Sequence, residues 1–472
     1  MAGSSRFSEI VRDRAPVVRD GRKTDLRVPG RIEFVATGVD IAFVNGLRRT
    51  LIGDLVTAAV AFDPADPDGQ DIEFLHNSGV LHNEFIGLRV SLIPLHLTRA
   101  ELASLRTDGV LLELDVTNDG EQPLDVTSRD IKVSVQGGAR GGAARGGLLD
   151  RDRVFPPDPV TGRWPLITVL MPHGAAESQA QRLAFRATLS LGCGRENARH
   201  SPVAACSVFP VQDAPAIADA RAKSKDAASF DAVEAPHIWK STPDGSQPAA
   251  HHVSLETVCG LSPDDLVYMG FEAMATRMRR LAEKLSDPSS EDVVDEEPMP
   301  NSPDVAGIKI RGETETAGAL IQAFLLGPGP GIPAAPGTIT PPAPGPASGN
   351  SPPMLQGSCD FCGYFTPHPL QQCIVIRLRS RDPGAPPPRA LVRDACLAVS
   401  VMAQQLADEW AAAAGTLEPA TFGGGDSDEN SADDNGADDD YSGADDDDDY
   451  SGADDDDSGA DDDDIESISS AE

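Results

Sequence analysis

The chain has 472 residues, enough for two or three domains, and its 44 glycines and 39 prolines indicate many loops and linkers. The formal net charge is −36, but residues 426–472 contain 23 Asp and Glu and no Lys or Arg, which leaves −13 on the rest of the chain. This balance excludes a broadly basic footprint for sequence-specific DNA binding as the main activity, although local basic patches remain open.

Three further features bound the class of protein. The seven cysteines are an odd number scattered along the chain, which favours reduced thiols in an intracellular protein. The first twenty residues are charged and have no apolar stretch, so we expect no signal peptide. No run of about 18 apolar residues is seen in the sequence, and we therefore expect no membrane span.

Residues 1–28 are predicted to be a flexible N-terminal arm, followed by a short strand in which Ile32, Phe34 and Ala36 alternate with other residues. A helix capped by Asp40 comes next, because apolar residues recur every four positions. These apolar residues are Phe43, Leu47, Leu51 and Leu55. The polar residues of the same helix are Asn45, Arg48 and Arg49.

A mainly β region is predicted over roughly residues 57–210, because residues 110–117 and 182–191 alternate as half-buried strands do. A Gly-rich loop with two arginines, residues 137–147, is either a surface loop or a phosphate contact. Ser262 then begins a helix with proline and acids in its first turn. Its apolar stripe comprises Leu266, Met269, Met274, Met278, Leu281 and Leu285.

Methionines at this spacing favour a core or interface over metal ligands. The acidic, Pro/Ser-rich residues 287–304 are predicted to be an interdomain linker. The pattern then restarts with a strand, a helix, a Pro/Gly-rich insertion at residues 327–357, a strand and a long helix that ends at Gly415. The apolar stripes of these two helices contain Ala317, Leu320, Ile321, Phe324, Leu325, Leu391, Ala395, Ala398, Met402, Leu406 and Trp410.

The same order of elements therefore occurs twice around one linker. Each unit exposes an apolar helical stripe that needs a partner, and the other unit is the nearest one. We expect an internal pseudo-dimer rather than a homo-oligomer. The fold class is predicted to be α+β.

No phosphate-binding loop, magnesium motif or nucleophile elbow is found, so we expect no catalytic residue and no cofactor. Cys359, Cys362, His368 and Cys373 have a spacing close to that of a zinc knuckle, but the usual four residues before the histidine are five here. We expect no metal. The tail, residues 416–472, is predicted to be disordered and acts either as a solvating segment or as an electrostatic mimic of nucleic acid.

The first helix, FVNGLRRTLIGDL, resembles that of the alpha-like family, the third-largest subunit of eukaryotic-type RNA polymerases, archaeal D and, more distantly, bacterial alpha. Four further segments resemble that family in the expected order. They are HNSGVLHNEFIGLRVSLIPL, VTSRDIKV, GCGRENARHSPVAA and LETVCGLSPDDLVYMGFEAMATRMRRLAEKL. The second unit resembles the small partner, the eleventh eukaryotic subunit or archaeal L, through GETETAGALIQAFLL and FCGYFTPHPLQQCIVIRLRS. Such a fusion is similar to what some large DNA viruses encode.

The resemblance implies a first dimerisation domain (residues 29–56 and 211–286), the insert domain (57–210) and a second dimerisation domain (305–415). It implies a non-catalytic assembly subunit of DNA-directed RNA polymerase that is intracellular, located in the nucleus or in a viral factory or virion. Its partners would be the two largest subunits and small accessory subunits, with DNA contacted only indirectly. The implied dimerisation interface comprises Phe43, Leu47, Leu51, Leu55, Met274, Met278, Leu281, Ile321, Phe324 and Leu406.

The resemblance also implies that Asn45, Arg48 and Arg49 contact the large subunits. The alternative is that they form an ordinary solvated face of the helix. The sequence departs from the family in two places. No cysteine lies in residues 96–110, where many members have a four-cysteine zinc loop, and Ala319 and Gln322 replace the usual Asn and Arg. Two other functions remain open: a free acidic interaction protein of the chaperone or DNA-mimic kind, and a zinc-dependent nucleic-acid-binding module.

Overall fold

The computed structural model describes residues 6–19, 22–66, 69–104, 109–136, 150–159, 161–172, 180–242, 247–296, 302–327, 357–382 and 384–415. Three predicted features lie outside the described residues. They are the Gly-rich loop at 137–147, nearly all of the insertion at 327–357, and the tail at 416–472.

The described part contains helices and antiparallel strands, which confirms the mixed α+β class. The strands are β1 (Phe7–Arg19), β2 (Arg22–Thr37), β3 (Val56–Ala59), β4 (Ile72–Asn77), β5 (Gly109–Asn118), β6 (Leu124–Thr127), β7 (Lys132–Gln136), β8 (Leu166–Leu170), β9 (Gln181–Ala187), β10 (Ser190–Cys193), β11 (Val203–Pro210), β12 (Ala250–Thr257), β13 (Val293–Glu296), β14 (Ala306–Arg311), β15 (Cys359–Phe365) and β16 (Cys373–Ser380). The helices are α1 (Ile41–Gly53), α2 (Asn83–Ser91), α3 (Arg99–Ser104), α4 (Arg151–Val154), α5 (Ala214–Lys223), α6 (Ala227–Val233), α7 (Pro263–Ser286), α8 (Glu315–Leu326) and α9 (Pro388–Ala414).

Two four-stranded sheets have the same connectivity. Their strand orders are β1-β2-β12-β11 and β13-β14-β16-β15, and every neighbouring pair is antiparallel. In each sheet a helix follows the second strand of this order (α1 or α8), and a long helix follows the third (α7 or α9). The inner faces of both sheets and the apolar stripes of all four helices meet in one core.

The helix ends carry the caps that the sequence predicts. The Asp40 carboxylate accepts a 2.7 Å hydrogen bond from the N–H of Ala42 at the start of α1. The Ser262 hydroxyl accepts one of 3.0 Å from the N–H of Asp265 in α7. Gly415 ends α9 with a φ of +74°, a backbone conformation that glycine adopts without strain.

The insert region has its own apolar core and is mainly β. Its strands form the sheets β4-β9-β5-β7, β6-β8 and β10-β3. Two details correct the prediction. The strand expected at residues 182–191 divides into β9 and β10, and β11 pairs with β12 in the first sheet, so the insert ends before Val203 rather than at residue 210.

The segments predicted as a flexible arm and a linker both contain paired strands. In the arm, β1 pairs with β2, and Phe7 is buried with its ring centroid 5.3 Å from that of Trp410. In the linker, β13 extends the second sheet, and Val293 is buried opposite Ile310. Each segment lies at the edge of its sheet and contributes a buried apolar residue to the shared core.

We expected no membrane span because no segment was long and apolar enough, and helix α9 shows that this premise is wrong. It is long and apolar enough to cross a membrane by length and composition, but 67% of the relevant window is buried inside the protein. A core helix has these same properties.

Candidate assembly interface

The residues predicted for the dimerisation interface are all buried in the core that both sheets share. Each of the ten has at most 4% of its surface exposed. Leu51 and Ile321 are fully buried, one in each half of the chain. Burying a side chain of this size removes apolar surface from water and contributes about 1.5–3 kcal/mol.

The long helices α7 and α9 pack against each other in opposite directions. Near one end, the indole Nε1–H of Trp410 donates to the carbonyl oxygen of Asp264 at 2.9 Å. In the middle, the Ser400 hydroxyl donates to the carbonyl oxygen of Ala275 at 2.8 Å. At the other end, the Arg389 Nε–H donates to the carbonyl oxygen of Leu285 at 3.0 Å. The contact between the halves therefore extends along both helices.

Two glycines allow α1 to approach its neighbours closely. A Cβ added to Gly270 of α7 would lie 2.6 Å from a methyl group of Leu47. A Cβ added to Gly46 of α1 would lie 3.0 Å from Met274 and 3.7 Å from Thr316, the latter on α8. Helix α1 therefore packs closely against both α7 and α8.

A charged cluster at the rim joins three elements, and the sequence did not indicate it. Arg277 of α7 forms ion pairs with Asp54, after α1, at 2.9 Å and with Glu313, before α8, at 2.7 Å. Its guanidinium also donates to the Thr314 hydroxyl at 3.1 Å. Arg195 of the insert region pairs with Asp54 as well. The cluster connects both halves and the insert.

The three residues predicted to contact large subunits lie on α1 as expected, but they have different surroundings. Asn45 is exposed, and its side-chain oxygen accepts a 2.9 Å hydrogen bond from Arg48. Arg49 is 41% exposed and pairs with Glu315 of α8 at 3.4 Å. The pKa of Glu315 is lowered by backbone and Thr366 hydrogen bonds as well as by Arg49. Arg49 therefore bridges the halves, while Asn45 and Arg48 form the more open pair.

Near Arg48, Cys206 lies half-buried in β11 and packs against the shared core. Burial raises the pKa of Cys206 to about 12, although the positive charge of Arg48 acts in the opposite direction. A thiol with a raised pKa is protonated at neutral pH, which favours a packing role over a nucleophilic one.

The helix α2 carries an apolar surface that the sequence did not single out as a contact. Ile86 and Val90 are buried in the insert core, whereas Phe85 and Leu92 are 59% and 64% exposed. Val80, just before the helix, is 65% exposed. These exposed apolar side chains are candidates for a contact with another protein.

The four residues considered as a zinc site differ in how far they are buried. Cys359, Cys362 and Cys373 are buried on β15 and β16, while His368 is exposed and its Nδ1 accepts a 3.2 Å hydrogen bond from the N–H of Leu370. Burial raises the pKa of Cys362 to about 12, which opposes formation of the thiolate that zinc requires. Among the described residues, no group of three or more His, Cys, Asp or Glu is placed to hold a metal ion.

Known proteins resemble part of this chain, although no family model matches it. It is 31% identical over 176 residues to DNA-directed RNA polymerase subunit Rpo3 of Thermococcus kodakarensis, a match that covers 37% of this chain and 53% of that protein. The homology is distant and partial. The Rpo3 of Methanosarcina acetivorans is 26% identical over 181 residues, 37% of this chain and 54% of that protein.

A eukaryotic relative extends the comparison. DNA-directed RNA polymerase II subunit rpb3 of Dictyostelium discoideum is 34% identical over 110 residues, 21% of this chain and 33% of that protein. The chain thus spans about half the length of the archaeal relatives it matches. The resemblance to the third-largest subunit is confirmed at this level, while the joined small partner and a viral source remain predictions.

Proposed function

We propose that this chain is a non-catalytic assembly subunit of an intracellular multisubunit DNA-directed RNA polymerase, in which two alpha-like halves form an internal dimer. The observation that carries the proposal is the repeated connectivity of the two four-stranded sheets, combined with the homology to Rpo3 and rpb3. A fused heterodimer of related subunits requires two units of the same topology that share one core.

Equivalent positions support the internal dimer. Aligning Phe34 with Ile308 on the second strands also aligns the two helix N-caps, Asp40 and Thr314. The same alignment matches two buried pairs, Leu47 with Ile321 and Leu51 with Leu325. On the long helices, aligning the N-caps Ser262 and Pro387 matches Leu266 with Leu391, Leu281 with Leu406 and Leu285 with Trp410, all buried.

The two halves differ where large subunits would bind. Asn45 and Arg48 of α1 correspond to Ala319 and Gln322 of α8 in this alignment. The Gln322 amide donates to the backbone carbonyl oxygen of Cys362 at 3.0 Å, so it serves the fold of its own half. The first half thus presents a polar contact that the second lacks, which suits a platform with two different large partners.

The proposed domains follow from these contacts. The first dimerisation domain comprises the first sheet with α1 and α7, and the second comprises the second sheet with α8 and α9. The insert region presents the exposed apolar surface of α2 to smaller accessory subunits. Catalysis and the DNA template belong to the large partners, whose compartment is the nucleus or a viral factory.

Affinity isolation of the tagged chain from its native source tests this function. We expect two much larger chains in stoichiometric amounts, identified by mass spectrometry as polymerase subunits. The matched control lacks residues 426–472, and its assembly with those chains should be unchanged. Recovery of histones or other basic proteins alone, lost on deletion of the tail, would instead identify a free acidic interaction protein.

A further inference from the structure

The second sheet, β13-β14-β16-β15, has one face that points away from the shared core. Its inner face packs in that core through Val293, Ile308, Ile310, Ile374, Ile376 and Leu378. Side chains alternate along a strand, so the residues between these point to the opposite side, which we call the outer face. The strand register arranges the residues of the outer face in rows that cross the sheet.

One row of the outer face carries apolar side chains at both ends. It runs across the four strands as Val294, Lys309, Val375 and Phe365. Val294 and Phe365 are exposed, whereas Val375 between them is buried. Lys309 has no ion-pair partner among the described residues. The row therefore presents two apolar side chains and an unpaired ammonium group.

The next row contains an open notch above a glycine. It runs as Glu296, Gly307, Arg377 and Gly363. In the described part of the chain, a Cβ added to Gly363 would meet the Phe361 ring at 3.6 Å and nothing else within 4 Å. Phe361 and Phe365, each 44% exposed, flank Gly363 on the same side of β15. The notch is thus bounded by two aromatic rings, with Arg377 beside it.

The Arg377 guanidinium has hydrogen-bonding capacity that the fold does not use. Its carbon lies 5.5 Å from the centroid of the Phe365 ring. One terminal nitrogen donates to the Glu296 carboxylate at 3.3 Å, and the Nε–H has no partner among the described residues. Arginine has five N–H donors in a planar fork that matches a carboxylate. A second carboxylate can therefore bind Arg377 from the side of the notch.

The charges of this outer face are not balanced, in contrast to those of the first sheet. On the corresponding face of the first sheet, Arg31 pairs with Glu33 at 2.6 Å and with Glu256 at 3.8 Å. On the second, Lys309 and the exposed Arg311 have no ion-pair partner within the described ranges. The two sheets have the same topology, so the fold does not require this local excess of positive charge. The excess indicates an anionic partner.

We propose that the outer face of the second sheet is a docking surface for a partner protein that supplies an acidic segment with an aromatic or aliphatic anchor. The anchor enters the notch above Gly363, and a neighbouring carboxylate binds Arg377. Lys309 and Arg311 attract the segment and repel a basic one. Aromatic side chains and arginine are enriched at the centres of protein interfaces.

Single-stranded nucleic acid is the other polymer that combines negative charge with stacking on aromatic rings. Two observations favour a protein. The Glu296 carboxylate lies on the same face, next to Arg377, where it repels a phosphate backbone. The notch above Gly363 also has room for one side chain between two rings rather than a track for successive bases. The proposal rests on the proposed function in one respect, because it assumes that the chain works within an assembly of several proteins.

Photo-crosslinking from the outer face tests the docking surface. A benzophenone amino acid replaces the exposed Val294 in the tagged full-length chain, which is expressed in its native source, and the crosslinked peptides are sequenced by mass spectrometry. The control places the same crosslinker at Val401, an exposed apolar position on α9. We expect the crosslinks from position 294 to concentrate in one segment of one protein, in which acidic residues flank an aromatic or aliphatic one.

Two variants of the crosslinking chain separate the anchor from the charge. Phe361→Ala with Phe365→Ala removes the rings around the notch, and Lys309→Glu with Arg311→Glu reverses the unpaired charges. We expect each variant to lower the crosslink yield from position 294 at least about fivefold. The loss in the charge variant should become smaller as salt is added, because salt screens exposed charges. Thermal unfolding verifies that each variant is folded.

A charge control reverses Arg279 and Arg280 to Glu, which are exposed on α7, and its yield should stay within about twofold of the wild type. Crosslinks to nucleic acid or to a basic segment, a yield no higher than from Val401, or an equal loss in the α7 control would overturn the proposal. Recovery of the large polymerase chains is scored in the same samples. If they are recovered while the expected crosslinks fail, the docking surface is refuted and the assembly function stands.

Discussion

At the scale of single residues, the interface depends on apolar side chains that no solvent reaches. Leu51 is fully buried between α1 and its neighbours, whereas Arg49 on the same helix is 41% exposed and makes one ion pair with Glu315 at 3.4 Å. Substitutions at these two positions therefore distinguish the contribution of packing to stability from that of surface charge.

Leu51→Asp should reduce the free energy of unfolding by several kcal/mol, because an unpaired carboxylate would enter the core of a protein whose total stability is about 5–15 kcal/mol. Arg49→Ala should cost at most about 1 kcal/mol, since an exposed ion pair contributes little. Urea denaturation of both variants measures the difference. A larger loss of unfolding free energy in Arg49→Ala than in Leu51→Asp would refute the assignment of the helix faces.

His251 on β12 is the second residue whose position has a measurable consequence. It is 1% exposed, neither ring nitrogen has a hydrogen-bond partner among the described residues, and burial lowers its pKa despite the nearby Asp40 carboxylate. Below about pH 6.5 the unfolded state binds the proton more readily than the folded state does. Stability is therefore fully present above that pH and falls as the solution becomes more acidic.

The slope attributable to His251 is at most about 1.4 kcal/mol per pH unit. In His251→Phe, the unfolding free energy should depend less on pH between 5 and 6.5, whatever its absolute value. His96 and His200, whose pKa values burial also lowers, contribute to the remaining dependence. Parallel pH profiles for wild type and variant would show that His251 is protonated equally in both states.

At the scale of elements, the sequence predicted the four helices of the shared core because each carries an apolar stripe, and three of them also carry an end signal. The capped starts at Asp40 and Ser262, and the stop at Gly415, depend on neighbours within one turn. Such local signals can be read from a single sequence.

The elements that the sequence did not predict depend on distant residues. β13 has a single buried residue, Val293, and is a strand because β14 pairs with it. β11 was assigned to the insert because its partner β12 lies beyond the helices α5 and α6. Likewise, Arg277 was not recognised as a contact, since its partners Asp54 and Glu313 meet it only in the folded chain.

The Arg277 cluster should stabilise the contact between the halves. In a double-mutant cycle with Arg277→Met and Glu313→Gln, we expect a coupling energy of about 1 kcal/mol or more, because the pair is largely shielded from solvent. The control cycle uses the more exposed pair Arg182 and Asp115 in the insert, where solvent screening should make the coupling smaller. Equal coupling at both sites would contradict a special role for the cluster.

At the scale of the whole molecule, we infer that one chain contains two subunits and that their affinity resides in the interface. A tether raises the effective concentration of one half around the other to roughly the millimolar range but adds no contact. β13 shortens the expected tether, because it starts at Val293 and pairs with β14 of the second half. The connection between the halves is thus residues 287–292, of which 287–289 and 291 are exposed.

The most direct measurement inserts a specific protease site at residues 287–292, cleaves the purified protein and follows the fragments by size-exclusion chromatography at micromolar concentration. We predict that the two fragments elute together at the volume of the uncut protein and separate only in denaturant, since the α7–α9 contact remains intact. Separate elution of the fragments under native conditions would contradict the internal dimer and with it the structural basis of the assembly function.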